Sequence, residues 1–260
     1  MRAALSLFSL GLVLGCGTPS TDAPGPIETL PPDSSADMAL EFDGSNDYAS
    51  LGTAGFPFAR LPHTISFWVS ASDGAAEQTI VALNKDDASG VFVGLSNGLP
   101  NAKSSYDDVF VQGETPLASG WHHVAYLFDG TDTTPHHTLY VDGEVVGTGT
   151  ALPQKRTPNT AYIGSDAHEE RCFKGKLDDL RIFAAARTRE QIVAEIAGEA
   201  PEQEPPELVL HLTFDEASGP RVVDRSGRGN HALLGDGMPG YMPQRVLSGV
   251  MQARAALARP

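Results

Sequence analysis

Leu139-Tyr-Val-Asp-Gly-Glu-Val-Val146 decides the fold. Runs of β-branched and aromatic residues flank an Asp-Gly pair, and Asp-Gly supplies the two positive φ angles that a tight hairpin turn needs. Three other stretches repeat the chemistry: Ala39-Leu-Glu-Phe-Asp-Gly-Ser-Asn-Asp-Tyr48, Trp121-His-His-Val-Ala-Tyr-Leu-Phe-Asp-Gly130 and Lys176-Leu-Asp-Asp-Leu-Arg-Ile-Phe183. In the first two an Asp-Gly pair cuts the run off. Between them, Thr64 to Ser70 alternates Ile65, Phe67 and Val69 on one face, the period of a half-buried strand. Gln78 to Leu83, Val91 to Leu95, Asp108 to Gln112 and Ala161 to Gly164 are further strands. Trp121 to Phe128 is apolar on both faces and belongs in the middle of a sheet. The reading gives about eleven short strands over 38–183 with no helix between them, which predicts an all-β, antiparallel two-sheet jelly-roll sandwich. One short helix is expected near 188–198. Thr188 and Gln191 form a capping box, Ile192, Val193 and Ile196 make its apolar stripe, and Gly198 ends it.

The rest of the chain is organised around that block. The N-terminus opens Met1-Arg2 and then runs apolar from Ala3 to Leu14. That run falls short of the roughly 20 residues a bilayer span needs, so residues 1–15 read as an export signal. The signal ends Val13-Leu14-Gly15-Cys16, which resembles the lipobox of bacterial lipoproteins and makes Cys16 the lipid attachment site. Acylation would take Cys16 out of any pairing with Cys172, which reads as a small packed residue and not a nucleophile. The protein is expected to be exported and lipid-anchored to the cell envelope, at the outer membrane in a Gram-negative host because Gly17 follows Cys16. Residues 16–37 are a proline-rich tether, since proline fixes φ and removes a backbone donor. Residues 199–206 form a second linker. Residues 207–260 form a C-terminal segment with a strand at Leu208–Phe214, a Gly-rich polar loop at Asp224–Asn230 and a weakly helical or unstructured end. Lys and Arg number 18 against 33 Asp and Glu, a net charge of −15. Such a chain is a poor partner for nucleic acid or anionic headgroups, which require clustered positive charge, and its carboxylates suit Ca²⁺.

The four quoted stretches, taken in chain order, resemble the LamG-like jelly roll of the concanavalin A-like lectin/glucanase superfamily. That family carries an Ala-Leu-x-Phe-Asp-Gly strand and turn, a Trp-x-His-Val-Ala strand and a Leu-Tyr-Val-Asp-Gly hairpin. A closing Ile-Asp-Glu-Val-Arg-Ile strand and a short helix follow. Here the corresponding residues are 39–48, 121–125, 139–143, 175–183 and 188–197, with Asp179 where Glu is usual. The family's opening segment, of the form Leu-x-x-His-Leu-x-Phe-Asp-Glu followed by Asp-x-Ser-Gly-x-x-Asn, is missing before Ala39. It occurs instead at Leu208–Gly219 and Asp224–Asn230. Two readings are open: a circular permutation in which the strand at 208–214 completes the same sandwich, or the stub of a second domain. The first is preferred because a lone strand cannot bury the face formed by Leu208, Leu210, Leu212 and Phe214.

The resemblance does not choose a function, since the fold hosts both binding modules and glycosidases. Glucanases of the superfamily place carboxylates on one strand as Glu-x-Asp-x-x-Glu, and no such triplet occurs. Asp178 and Asp179 are adjacent and are expected on opposite faces of a strand. His122-His123 and His136-His137 lack zinc-ligand spacing and read as structural. For calcium, Asp43 and Asp47 crowd carboxylates into one turn, and the resemblance implies a structural Ca²⁺ near it that Asp178 would complete; the alternative is an ordinary turn held by Asp side chains. Tyr106 and Asn101 are weak candidates for sugar contacts in a loop. The expected function is a non-catalytic cell-surface lipoprotein that binds carbohydrate or protein. The alternatives are a structural or adhesive envelope protein without sugar recognition, or a degenerate glycoside hydrolase.

Overall fold

At the hairpin, β9 (His137–Val141) and β10 (Glu144–Gly149) pair antiparallel, and Asp142 and Gly143 take φ of 53° and 80°. Both values are left-handed, as a two-residue turn between twisted strands requires. The computed structural model describes residues 33, 35–56, 61–85, 89–103, 109–130, 136–151, 159–166, 171–199 and 205–258. The export signal, Cys16, most of the tether and Tyr106 lie outside the described residues.

The hairpin ends one antiparallel sheet. Inward from it come β8 (His122–Phe128), β3 (His63–Ala71), β12 (Lys174–Phe183), β1 (Met38–Asp43) and β16 (Gln244–Leu247). β12 is long enough to take two partners on its second edge. β1 pairs with residues 174–177 and β13 (Leu208–Leu212) with residues 180–183. The other sheet runs β14 (Arg221–Val222), β15 (Ala232–Leu234), β2 (Ala49–Leu51), β11 (Thr160–Ile163), β4 (Glu77–Lys85), β5 (Ser89–Ser96), β6 (Leu99–Lys103) and β7 (Val109–Gln112). The stretch after residue 205 therefore supplies strands to both sheets.

One apolar core fills the space between them. Leu40, Phe42, Ile65, Phe67, Val69 and Tyr126 enter from the first sheet and meet Val81, Leu83, Val93 and Ile163 from the second. Leu210, Leu212 and Phe214 join the same core. The outer face of the first sheet is also covered. Trp68 and Ala125 lie there beneath α1 (Arg189–Ile196) and α2 (Val250–Leu257), packed with Ile192, Ile196 and Val250. The capping box of α1 is formed as its sequence predicts. Two elements differ from expectation. Asn101 sits in a strand, β6, and is 3% exposed, not in a loop. The segment before Pro260 holds a definite second helix, α2.

The loop at Asp224–Asn230 ties these parts together. Asp224 accepts backbone N–H groups from His211, Ser226 and Asn230. The Asn230 amide donates to the carbonyls of Ala54 and Val209, and its oxygen accepts from Ala54 N–H. These bonds join β13 to the loop after β2 and satisfy buried backbone groups that would otherwise be left bare. If β13 belongs to this core, Leu210→Ala should destabilise the protein by about 2–5 kcal/mol, as buried leucines do. Urea denaturation measures this, and a loss below about 0.5 kcal/mol, ordinary for a surface change, would detach the strand from the core.

Candidate functional site

The middle of β12 breaks the strand rule. Its register against β3 slips between Asp178 and Arg181, and Asp179 has φ of 48°. This is a β-bulge, in which an extra residue re-aims its neighbours. Leu177 and Leu180 both enter the core, while Asp178 and Asp179 both line the same cavity on the outer face. The expectation that the two aspartates face apart is thereby corrected: period-2 alternation does not survive a left-handed residue.

Asp179 is 8% exposed and collects two guanidiniums and an imidazole. His211 from β13 donates through Nε2 to Oδ1 at 2.9 Å, Arg181 meets the same oxygen at 3.0 Å, and Arg254 from α2 donates to Oδ2. Burial alone would raise its carboxyl, but the His211 hydrogen bond and the charges of Arg181, His211 and Arg254 outweigh it and hold the group well below the usual carboxylate range. Asp178 is the opposite case. Burial pushes its carboxyl up to about 8; the Ser248 hydrogen bond opposes this, and the charges of Asp179 and Asp37 add to it. Its Oδ2 accepts the Ser248 hydroxyl at 2.5 Å and its Oδ1 the Asp179 N–H at 2.7 Å. Burial, and then the charge of Asp215, also raise Asp37.

A cavity of about 160 Å³ opens at this point. Four carboxylates line it, from Asp37, Asp178, Asp179 and Asp215, with the guanidiniums of Arg181 and Arg254. Val250 and Met251 of α2 also line it. Beyond Asp179 the network runs on under α1. Arg181 lies 3.6 Å from Glu195, which also accepts the Ser66 hydroxyl at 2.6 Å and contacts His123 Nε2 at 3.1 Å. Ser66, Glu195 and His123 are buried and Glu195 stands between the other two, so they form a structural bridge and not a nucleophile–base pair.

The proposed calcium ligands are not brought together. Asp43 Oδ1 accepts Ser45 N–H at 2.7 Å, and Asp47 Oδ2 accepts Asp43 N–H at 2.9 Å, the bonds of an Asp-stabilised turn. In the β1–β12 register Asp43 faces Lys174, which puts Asp178 four residues along the strand, roughly 13 Å away. Among the described residues no three or more His, Cys, Asp or Glu side chains are grouped to hold a metal ion. The structure thus keeps Asp43 and Asp47 in one turn and places Asp178 at the cavity. His122 contacts Asp142 and His123 contacts Glu195, each on its own side of the strand. His137 Nδ1 accepts the Tyr126 hydroxyl at 2.8 Å. The Asn101 amide donates to Leu99 C=O at 3.3 Å.

The outer face of the second sheet carries a different cluster, with Tyr48, Phe92 and Tyr162 buried and Tyr241 packed against them. Asp236 accepts the Tyr48 hydroxyl at 2.9 Å and the Ser50 hydroxyl at 2.6 Å. Sequence reading missed the cavity because its residues come from four separated segments. The available signal was the Leu-Asp-Asp-Leu run itself, since two adjacent acids flanked by core leucines cannot fit an unbroken strand.

A family model described as the concanavalin A-like lectin/glucanases superfamily, of the laminin G type, matches residues 43–193. The match includes Asp178, Asp179 and Arg181 and stops before His211, Asp215 and Arg254. No curated protein matches the sequence. Among solved structures, a "putative carbohydrate binding protein" from Bacteroides ovatus is similar with a TM-score of 0.64 and 21% identity, over 82% of this chain and 60% of that one. A heptameric SAP-like pentraxin from Limulus polyphemus is similar with a TM-score of 0.52 and 16% identity, over 76% and 94%. At these identities the likeness is one of fold.

Asp179→Asn would leave two largely buried guanidiniums without their anion, so it should cost about 3–5 kcal/mol in urea denaturation near pH 7. A change under about 1 kcal/mol, the worth of an exposed pair, would show that the network is not load-sharing in this way. Asp178 works in the other direction. Its proton is held in the folded state up to about 8 but only to about 3.8 in the unfolded chain. Between those values the folded form binds the extra proton, so rising pH erodes stability. The melting temperature of Asp178→Asn should fall less than the parent's between about pH 5 and 8; parallel profiles would mean that Asp178 ionises normally.

Proposed function

The chain belongs to the concanavalin A-like lectin/glucanases superfamily, and on that premise we propose that it is a non-catalytic, exported binding module whose cavity takes the terminal sugar of a glycan. The observation that carries this reading is the cavity's chemistry. It presents carboxylate and guanidinium groups side by side, acceptors and donors for hydroxyls, in a space of about 160 Å³. That is smaller than the roughly 300–1,000 Å³ of pockets for drug-sized ligands, and suits one ring at the end of a chain. The same chemistry favours binding over cleavage. Glycosidic hydrolysis uses two available carboxylates about 5–9.5 Å apart. Here Asp179 is committed to Arg181, Arg254 and His211, and Asp178 to Ser248 and a backbone N–H. The Bacteroides ovatus neighbour, whose printed description names carbohydrate binding, is in keeping with this.

The N-terminal sequence completes the proposal. Cleavage before Cys16 and acylation of its thiol would anchor the chain, and residues 17–32 would hold the sandwich off the membrane. Several acyl chains on one cysteine give stable anchoring, since each buried CH₂ contributes about 0.8 kcal/mol.

A glycan array with the protein lacking residues 1–16 tests the reading, followed by calorimetry on the best ligand. Binding is expected to weaken at least about tenfold in Asp37→Asn, the loss of one charged hydrogen bond. It should be unchanged in Tyr241→Ala, on the other sheet, and insensitive to EDTA. Loss in Tyr241→Ala alone would move the site to the tyrosine cluster. A blank array with a co-purifying envelope protein would replace sugar recognition with a structural role. Release of reducing ends, abolished in Asp178→Asn, would make the protein a glycoside hydrolase.

A further inference from the structure

α2 covers the cavity with little of its own surface buried. Only Val250 of its eight residues is buried, and Met251 is 66% exposed. Apolar packing of that extent cannot hold an isolated two-turn helix, which is marginal in water. Polar bonds at its two ends do so instead. At the start, Gly249 provides no side-chain cap, and the preceding Ser248 replaces it: its hydroxyl oxygen accepts Val250 N–H at 3.1 Å while its proton goes to Asp178 Oδ2. Ser248 N–H also donates to Asp37 C=O at 2.9 Å. Toward the other end, Arg254 reaches Asp179, donates to the carbonyls of Glu195 and Ile196 that end α1, and lies 5.2 Å from the centre of the Trp68 ring. Carbonyls at a helix C-terminus lack partners within their own helix; Glu195 C=O also accepts Gly198 N–H, and Arg254 adds a charged donor to it and to Ile196 C=O.

From this geometry we infer that α2 is a strap fastened at its two ends to the adjacent aspartates of the β12 bulge, and that its lifting opens the cavity while the sandwich stays folded. Val250, Met251 and Arg254 all line the cavity, so a lifted strap removes one side of it. The sheets do not need to move. β3 and β12 are held by ladder pairs on both sides of the bulge and by core side chains that α2 does not touch. The inference does not depend on the ligand being a sugar, because the test uses none.

The protein carries its own reporter. It has two tryptophans. Trp68 is fully buried in the cluster that contains Val250, and Trp121 packs against that cluster with its Nε1 beside Gly249. Amide hydrogen exchange and acrylamide quenching of tryptophan fluorescence should be compared in the parent, Arg254→Gln and Ser248→Ala. In the parent, amides at 252–257 are expected to exchange faster than those of β3 and β8, by local opening. Arg254→Gln should raise exchange over 252–257 by about tenfold or more, the loss of hydrogen bonds to a charged group, with quenching rising in step. β3 and β8 should keep their protection. If Arg254→Gln unfolds globally, Ser248→Ala decides, because it leaves Arg254 in place; a rise confined to the strap supports the inference. Exchange over 252–257 that matches β3 and β8 in the parent and in Ser248→Ala would overturn it, since α2 would then open only when the whole domain unfolds.

Discussion

The buried carboxylate of Asp179 is the constraint on which the outer layer of this protein depends. A lone carboxylate away from water costs several kcal/mol, so it persists only if opposite charge and hydrogen bonds surround it. Those partners come from three places: Arg181 on the same strand, His211 on β13 and Arg254 on α2. Arg181 then reaches Glu195 on α1. One charge thus determines where β13, α2 and α1 lie relative to one another. The bulge makes this arrangement available. In an unbroken strand, one of the two adjacent aspartates would point into the apolar core.

The same site explains why the C-terminal segment matters to the architecture. β1 reaches only the first half of the free edge of β12, and β13 covers the second half. β16 extends the sheet beyond β1, and β15 continues the other sheet from β2. Bringing residues 205–258 back to strands at the start of the chain closes a long loop. The entropy of closure grows only slowly with length, by about 0.6 kcal/mol per doubling. The apolar face of β13 and the bonds of Asp224 and Asn230 are large against that increment. Exposed sheet edges invite pairing with other chains, and the tail removes one from the middle of β12.

Local chemistry made the sandwich legible in the sequence. Asp142-Gly143 announces its hairpin because few other residue pairs accept two left-handed positions, and Thr188 with Gln191 announces α1 because the cap bonds span three residues. Asn97-Gly98 carries the same hairpin signal, with φ of 50° and 80°, and joins β5 to β6. There Pro100 obscures the second strand, since proline rarely enters a ladder. The cavity was not legible. Asp37, Asp178, His211, Asp215 and Arg254 are spread over more than two hundred residues, and no spacing rule links them. The calcium reading started from the turn carboxylates of Asp43 and Asp47, which are close in sequence, and reached Asp178 only through the family resemblance. Alternation cannot anticipate which face an acid takes once a left-handed residue intervenes.

Charge narrows what the cavity accepts. The protein carries a net charge of −15, and four Asp side chains line the cavity against two guanidiniums, with Asp178 keeping its proton up to about 8. Both guanidiniums are already paired with Asp179, and one of them also neutralises the end of α1. An anionic ligand would approach against the field of the whole molecule and find its cations engaged. A strongly cationic ligand would compete with Arg181 and Arg254 for Asp179 and loosen the strap that forms part of the cavity. A neutral, hydroxyl-rich group meets neither difficulty, because it can donate to the carboxylates and accept from the guanidiniums without disturbing the pairs already made. The charges that hold α2 in place therefore also weigh toward the proposed reading, an uncharged sugar, over a charged ligand.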